Sequence, residues 1–138
     1  MWTELCLFLV INFQAVEQKT CIQIVEDAIE MGAEKHVYDL LSTAWYESRF
    51  TASAISGTGK YVGALQHNKK FVTNCEDCTE IQQAISIFLK FKTKDRCLHL
   101  ARYMKGWNAT CDERVLKRLR LADKIKRLHS RIKKRKIK

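Results

Sequence analysis

The 138-residue sequence contains no proline and only five glycines, two of them within Gly57-Thr58-Gly59. A fold built from many short strands needs these two residue types at its turns. Their scarcity argues against such a fold and favours helices. Because 46% of the residues are hydrophobic and 29% are charged, the composition is that of a folded protein. We therefore predict a single compact, mainly α domain. A chain of this length is long enough to form one such domain.

The apolar run near the N-terminus, from Leu5 to Phe13, is too short to span a bilayer as a helix. It can form the core of an export signal, but Glu4 precedes it without any Lys or Arg, and Phe13-Gln14-Ala15 is a poor cleavage site. The alternative is an N-terminal helix or strand that packs on the domain or on a neighbouring subunit. Both interpretations of residues 1–19 stay open.

In most of the chain, Lys and Arg do not outnumber Asp and Glu. Residues 1–113 hold 12 Lys/Arg and 14 Asp/Glu, whereas residues 114–138 hold 13 and 1. We divide the chain into the N-terminal segment, a domain at residues 20–121, and a basic C-terminal helix or tail at residues 122–138. The partners expected for this tail are an anionic envelope polymer, a membrane surface, nucleic acid in a virus particle, or another acidic partner. From Val115 onward, apolar residues recur at helical spacing and predict a basic amphipathic helix, at Leu116, Leu119, Ala122, Ile125, Leu128 and Ile132. Its last part is expected to be a mobile arm unless an anion holds it.

The six cysteines lack the spacing of a zinc site. Cys75 and Cys78 form one close pair, but Cys97 and Cys111 are fourteen positions apart, and a zinc ribbon needs a second close pair. We therefore predict neither a metal nor a cofactor. In an oxidising compartment these four cysteines can form two disulfides in any of three pairings, and inside a cell they would be buried thiols.

Four further helices are predicted from apolar residues at a spacing of three and four. They cover about residues 20–31, 34–48, 79–91 and 97–104, with Thr20 as a candidate cap and Gly32 ending the first of them. The second helix carries Glu47 in its last turn, beside an apolar stripe of Leu40, Leu41, Ala44 and Trp45. A carboxyl crowded by Trp45, Tyr46 and Phe50 would lose hydration and be suited to donating a proton.

The stretch around Glu47 resembles the soluble lytic transglycosylases and the related goose-type lysozymes. Glu47-Ser48-Arg49-Phe50 is similar to the family's Glu-Ser-x-Phe, Ala54 to Gly59 to its Ala-x-Ser-x-x-Gly, and Gly63-Ala64-Leu65-Gln66 to its Gly-Leu-Met-Gln. Tyr103-Met104-Lys105-Gly106 resembles a later Tyr-Asn-x-Gly element. The resemblance covers about residues 21–121. It departs at Ala64, where a bulky residue is usual, at Met104, which replaces Asn, and after Gln66, where no Met-Pro-x-Thr follows.

The resemblance implies an α+β lysozyme-like fold with a glycine-punctuated active-site loop and Glu47 as the catalytic acid and base. It places Ser48 and Gln66 in the cleft wall and gives the Tyr103 hydroxyl the role of positioning Glu47 or the substrate. Similar chemistry and backbone freedom make Ser56 and Gly63 further candidate substrate-binding residues.

Residues 49–74, which are expected to form the wall beside Glu47, contain no Asp or Glu. A two-carboxylate glycosidase needs a second acid close by, whereas a transglycosylase needs only one. Asp39, Glu76, Asp77 and Asp95 are the acids that can still fold near Glu47. We therefore expect a lytic transglycosylase that cleaves peptidoglycan glycan strands.

Two settings fit this expectation, an exported enzyme of the cell envelope and a phage virion protein acting on the host cell wall. Two alternatives remain. One is a hydrolytic muramidase that uses the same site. The other is a non-catalytic lysozyme-like protein of a virion that binds nucleic acid through its basic tail.

Overall fold

The computed structural model describes residues 2–14, 17–68 and 77–137, with side chains as far as Arg135. In chain order its helices and strands are α1 (Trp2–Asn12), α2 (Gln18–Glu30), a 3-10 turn (Glu34–His36), α3 (Val37–Ser48), β1 (Tyr61–Val62), β2 (His67–Asn68), α4 (Glu80–Lys90), α5 (Arg96–Lys105) and α6 (Glu113–Ile137). β1 and β2 pair antiparallel, with Tyr61 opposite Asn68. The prediction of a mainly α fold is confirmed.

Local sequence explains most of the helix ends. Thr79 begins α4 with a reciprocal capping box, in which its hydroxyl accepts from the Gln82 amide and the Gln82 side chain accepts from the Thr79 amide. Gly32 takes a positive φ of 75° just after α2. The prediction of Thr20 as a cap is wrong, because Thr20 lies buried inside α2 and its hydroxyl donates to Glu17.

The long helix α6 packs along α3 and also contacts α1 and α5, while α2 packs against α1, α3 and α4. The core between them is built from large, fully buried side chains that include Leu40, Leu41, Phe50, Phe88 and Leu100. Removing such side chains from water is the main driving force for this arrangement. Its consequence for function is that α6 brings its positive charges against α3, the helix that carries Glu47.

The N-terminal helix α1 is part of this packed structure. Leu5, Cys6 and Leu9 are buried in the core, and a disulfide joins Cys6 to Cys21 of α2. Within residues 2–14, 17–68 and 77–137, no helix is both long and apolar enough to cross a membrane.

A second disulfide joins Cys97 of α5 to Cys111, just before α6. Cys78 is disulfide-bonded as well, and Cys75 lies outside the described residues. The Cys97–Cys111 bond selects among the pairings that the sequence left open. In the part of the chain that the structure describes, no group of three His, Cys, Asp or Glu side chains is placed to hold a metal ion.

The buried face of α6 differs from the predicted one. Its buried side chains are Val115, Arg118, Leu119, Ala122, Ile125 and His129, whereas Leu116, which was predicted to lie on that face, is 38% exposed. Two polar residues therefore replace apolar ones on the packed stripe. Residue 122, the predicted start of the basic tail, lies in the middle of α6. The helix continues to Ile137, with the Lys133 ammonium over the Trp2 ring of α1.

Candidate active site

Glu47 lies in a cleft of about 410 Å³ between the end of α3, the loop around β1 and β2, the end of α5 and the start of α6. We call this the active-site cleft. Four of the predicted site residues line it, namely Glu47, Ser56, Gln66 and Tyr103, while Ser48 and Gly63 do not. The other lining residues are Tyr61, Leu65, Met104, Lys105 and Arg114.

The end of α3 that presents Glu47 has an uncommon backbone. Arg49 and Phe50, which follow the helix, have φ angles of 54° and 60°, and Gln66 across the cleft has a φ of 46°. Side chains other than glycine rarely adopt this left-handed conformation, and such residues cluster at functional sites. The sequence gives no glycine at these positions, so tertiary packing imposes the turns.

The Glu47 carboxylate is held by an arginine of α6. Arg118 Nη2 donates to Glu47 Oε1 at 2.6 Å, and the two side chains are 8% and 25% exposed. Arg118 is itself fixed, because Nη1 donates to the Arg114 carbonyl oxygen and the guanidinium lies 5.0 Å from the centre of the Tyr46 ring. The apolar surroundings expected for Glu47 are thus replaced on one side by a buried cation. Phe50 lies in the core.

The Ser48 side chain bonds to the neighbouring loop rather than lining the cleft. Its hydroxyl oxygen lies 2.6 Å from the Ala64 carbonyl oxygen, to which it donates, and it accepts from the Thr51 amide at 3.1 Å. These bonds attach the end of α3 to the loop that contains Gln66. Ser48 therefore positions the wall opposite Glu47.

Gly63 makes the turn of that loop with a φ of 81°, and its amide donates to the Ala54 carbonyl oxygen. A Cβ at this position would lie 2.8 Å from Glu80 Oε2, closer than real contacts allow. The backbone angle therefore favours glycine, whereas the contact involves the end of the exposed, flexible Glu80 side chain, which can move aside. Glu80, at the start of α4, is an acid near the loop that the sequence analysis did not consider.

Gln66 uses its side-chain amide to close the loop. Nε2 donates to the carbonyl oxygens of Ala54 and Gly63, at 3.0 and 2.8 Å. No partner for Oε1 is found within the described ranges. Ser56 has a similar loop role, because its hydroxyl accepts from the Tyr61 amide at 3.1 Å.

Tyr103 is buried, and its hydroxyl donates to the Leu65 carbonyl oxygen at 2.8 Å. Burial, followed by the nearby charge of Glu47, raises the pKa of Tyr103 above its ordinary value. The hydroxyl thus keeps its proton and positions the Leu65–Gln66 wall. This hydrogen bond goes to the loop backbone, and the role expected from the resemblance, positioning Glu47 or the substrate, stays a prediction.

The other acids that the sequence left open do not line the active-site cleft. Asp39 binds Arg96 in a different cleft, Asp95 caps α5 by accepting from the Leu98 amide, and Asp77 is exposed. Glu76 lies outside the described residues. Among the residues that the structure describes, Glu47 is thus the one carboxylate that lines the cleft.

Sequence reasoning missed Arg118, although a signal for it was present. It lies three residues after Val115 and four before Ala122, which is the spacing of one helical face. Counting apolar residues alone hides a charged residue on a buried face. The partner, Glu47, is 71 positions away in the chain, a distance that no local pattern bridges.

The geometry of the described residues therefore supplies one carboxylate with a fixed cation beside it and a wall of amide and hydroxyl groups opposite.

Comparison with known proteins adds no relative: the chain matches no protein-family model, no curated protein and no solved structure.

Proposed function

We propose that this protein is a lytic transglycosylase with a lysozyme-like domain, which cleaves the β-1,4 bond between N-acetylmuramic acid and N-acetylglucosamine in peptidoglycan. The observation that carries the proposal is the single carboxylate, Glu47, lining the active-site cleft of the described structure. Two-carboxylate glycosidases need a second acid as nucleophile or as base for water. A transglycosylase does not, because the substrate supplies its own nucleophile.

In this mechanism Glu47 acts twice. As a carboxylic acid it donates its proton to the glycosidic oxygen while the bond from C1 to that oxygen breaks. As a carboxylate it then removes the proton from the C6 hydroxyl of the same muramic acid, and O6 attacks C1. A 1,6-anhydro ring closes, Glu47 regains its proton, and no water is consumed.

Arg118 suits this role as a positioning residue. It engages Glu47 Oε1 and does not line the cleft, and Glu47 Oε2 has no partner within the described ranges. One oxygen is thus fixed, and the other is left for the substrate. A guanidinium remains charged throughout, so it holds the carboxylate in place after the first proton transfer.

The opposite wall offers polar groups for a sugar. Gln66 Oε1 can accept from a hydroxyl, while Tyr103 and Ser48 hold the backbone that carries Gln66. Arg114 lines the cleft without a carboxylate partner in the part of the chain that the structure describes, which suits a glycan with anionic peptide stems.

The disulfides support the setting proposed for this activity. Cys6–Cys21 and Cys97–Cys111 are typical of proteins in oxidising compartments. They favour a cell-envelope location after export, or a phage virion acting on the host wall. The basic end of α6 would assist by binding an anionic envelope polymer or a membrane surface.

One observation favours a second candidate, a hydrolytic muramidase. The Glu80 carboxylate lies against Gly63 on the loop that forms the cleft wall. If substrate binding shifted this loop, Glu80 would be the acid that holds a water molecule.

The proposal is tested by adding the full chain to purified peptidoglycan and measuring the release of soluble fragments. Glu47→Gln should reduce the rate by about 10²–10⁴-fold, because the amide cannot exchange the proton. Glu113→Gln is the matched control, since it also removes a carboxylate from an ion pair with an arginine of α6, but on the surface. Equal activity of the two variants, or none in the wild type, would overturn the assignment.

A further inference from the structure

A second cleft, of about 730 Å³, lies between the 3-10 turn and the start of α3, the connection from α4 to α5, and the middle of α6. We call this the basic cleft. It is separate from the active-site cleft, with which it shares no lining residue. Five Lys and Arg side chains line it against two carboxylates, those of Asp39 and Asp123.

Both carboxylates of the basic cleft are bound to the same arginine. Arg96 Nε lies 3.0 Å from Asp39 Oδ2, and Arg96 Nη1 lies 2.9 Å from Asp123 Oδ1. The four lysines of the cleft form no ion pair with a carboxylate in the described structure, and they are Lys35, Lys92, Lys94 and Lys126. The cleft therefore has a surplus of positive charge that the described carboxylates do not neutralise.

Two of these lysines face each other. Contact with the Lys92 side chain, followed by its charge, lowers the pKa of Lys35. Neighbouring ammonium groups repel each other, and an anion bound between them would relieve the repulsion. Nearby, Nε2 of His36 is buried and has no hydrogen-bond partner among the described residues.

We propose that the basic cleft binds a ligand that presents at least two linked phosphate groups. Compact ammonium charges on flexible stems suit phosphate oxygens. The lysines come from three separate segments around a cleft of about 730 Å³, which has room for a short chain of phosphates rather than one phosphate alone. Soluble oligophosphates and the phosphodiester backbone of an envelope polymer share this chemistry.

The test measures binding of tripolyphosphate to the full chain by calorimetry. Replacing both Lys35 and Lys92 with Gln should weaken binding by about tenfold or more, the loss of one or two charge-assisted hydrogen bonds. The matched control replaces Lys133 and Lys134 with Gln, which removes the same charge from the far end of α6. Equal weakening in the two double variants, or no binding by the wild type, would overturn the proposal.

Two further arms refine the ligand. Inorganic monophosphate should bind more weakly than tripolyphosphate because it meets fewer lysines, and equal affinity would refute the requirement for linked phosphates. A glycerol-phosphate oligomer that binds with the same sensitivity to the Lys35 and Lys92 changes would identify the polymer as the source. Binding of tripolyphosphate alone would identify a soluble oligophosphate. Lys35 and Lys92 are exposed, so the double variant should fold, which thermal unfolding without ligand checks.

Discussion

The two clefts use the same pair of helices in opposite ways. In the active-site cleft, an arginine of α6 meets the glutamate of α3, and no partner for the other carboxylate oxygen is found among the residues that the structure describes. In the basic cleft, aspartates from α3 and α6 both bind Arg96 of α5, and four lysines are left without a carboxylate among the described residues. The first cleft thus offers a carboxylate oxygen for the proton transfer that we propose, and the second offers the cations that the proposed anion binding needs.

The largest effect that separates the clefts is expected at Arg118. Arg118→Met should lower peptidoglycan cleavage by about ten- to a hundredfold, because Glu47 loses the donor that fixes it. Tripolyphosphate binding should not change. Arg118→Lys should restore part of the rate, since an ammonium keeps the charge but not the geometry of the guanidinium.

A purely structural role for Arg118 would give a different result. Unfolding temperature and cleavage would then fall together, and Arg118→Lys would restore both equally. A variant of normal stability with a reduced kcat supports the positioning role.

The next effect is a pH dependence that arises where α6 meets α1. His129 is buried against Trp2, and its Nδ1 bonds to the Tyr38 hydroxyl at 2.9 Å. Burial, with help from the charge of Lys133, lowers the pKa of His129 from 6.5 to about 4. The folded state thus keeps the neutral form while the unfolded state takes up a proton near pH 6.5. Stability is complete above that pH and is lost as the pH falls towards 4.

Unfolding experiments between pH 7 and 4 check this prediction. The wild type should lose more stability than His129→Gln, by an amount on the order of 1–3 kcal/mol. The difference between the two proteins is the relevant quantity, because burial also lowers the pKa of His36, His67 and His99. Parallel pH profiles would contradict the assignment. Protonation of His129 should loosen this part of α6. Because Lys126 is within one turn of His129, the basic cleft should then be affected at a higher pH than the active-site cleft.

A smaller effect is expected at Glu80, and it separates the transglycosylase from the hydrolase. Glu80→Gln should change the cleavage rate by less than about threefold, since this carboxylate does not line the active-site cleft. A loss as large as that of Glu47→Gln would identify Glu80 as the second carboxylate. The measurement is the initial rate of fragment release at equal protein concentration.

The smallest effect on the fold is expected from removing residues 133–138, which deletes five positive charges and one isoleucine. Unfolding temperature and cleavage of soluble glycan fragments should scarcely change, since Lys133, Lys134 and Arg135 are exposed. Binding to intact anionic envelopes should fall and depend less on salt. An unchanged salt dependence would show that this end of α6 is not an electrostatic anchor.

Local patterns predicted the parts of the fold that local physics determines. Apolar spacing identified the helices, and it placed Glu47 at the end of α3. Arg118 and His129 escaped prediction because their partners, Glu47 and Tyr38, are 71 and 91 positions away. A local pattern does not show that a polar residue on a buried stripe will be stabilised, because the partner that stabilises it lies far away in the chain.

The wall opposite Glu47 was only partly predictable. Gln66 and Tyr103 were identified, but their hydrogen bonds to loop carbonyl oxygens depend on turns that tertiary packing imposes. The positive φ angles of Arg49 and Phe50 have no local signal, because neither residue favours them. The basic cleft could not be predicted for a similar reason, since its lysines come from three separate segments.

The central claim, that one carboxylate performs the cleavage without water, is tested most directly by mass spectrometry of peptidoglycan fragments released in water enriched in oxygen-18. The account predicts 1,6-anhydromuropeptides, lighter by one water than hydrolysis products and free of the heavy isotope. Fragments with reducing ends that carry oxygen-18 would contradict it, and would assign the cleft to a hydrolytic muramidase with a second acid near Glu47.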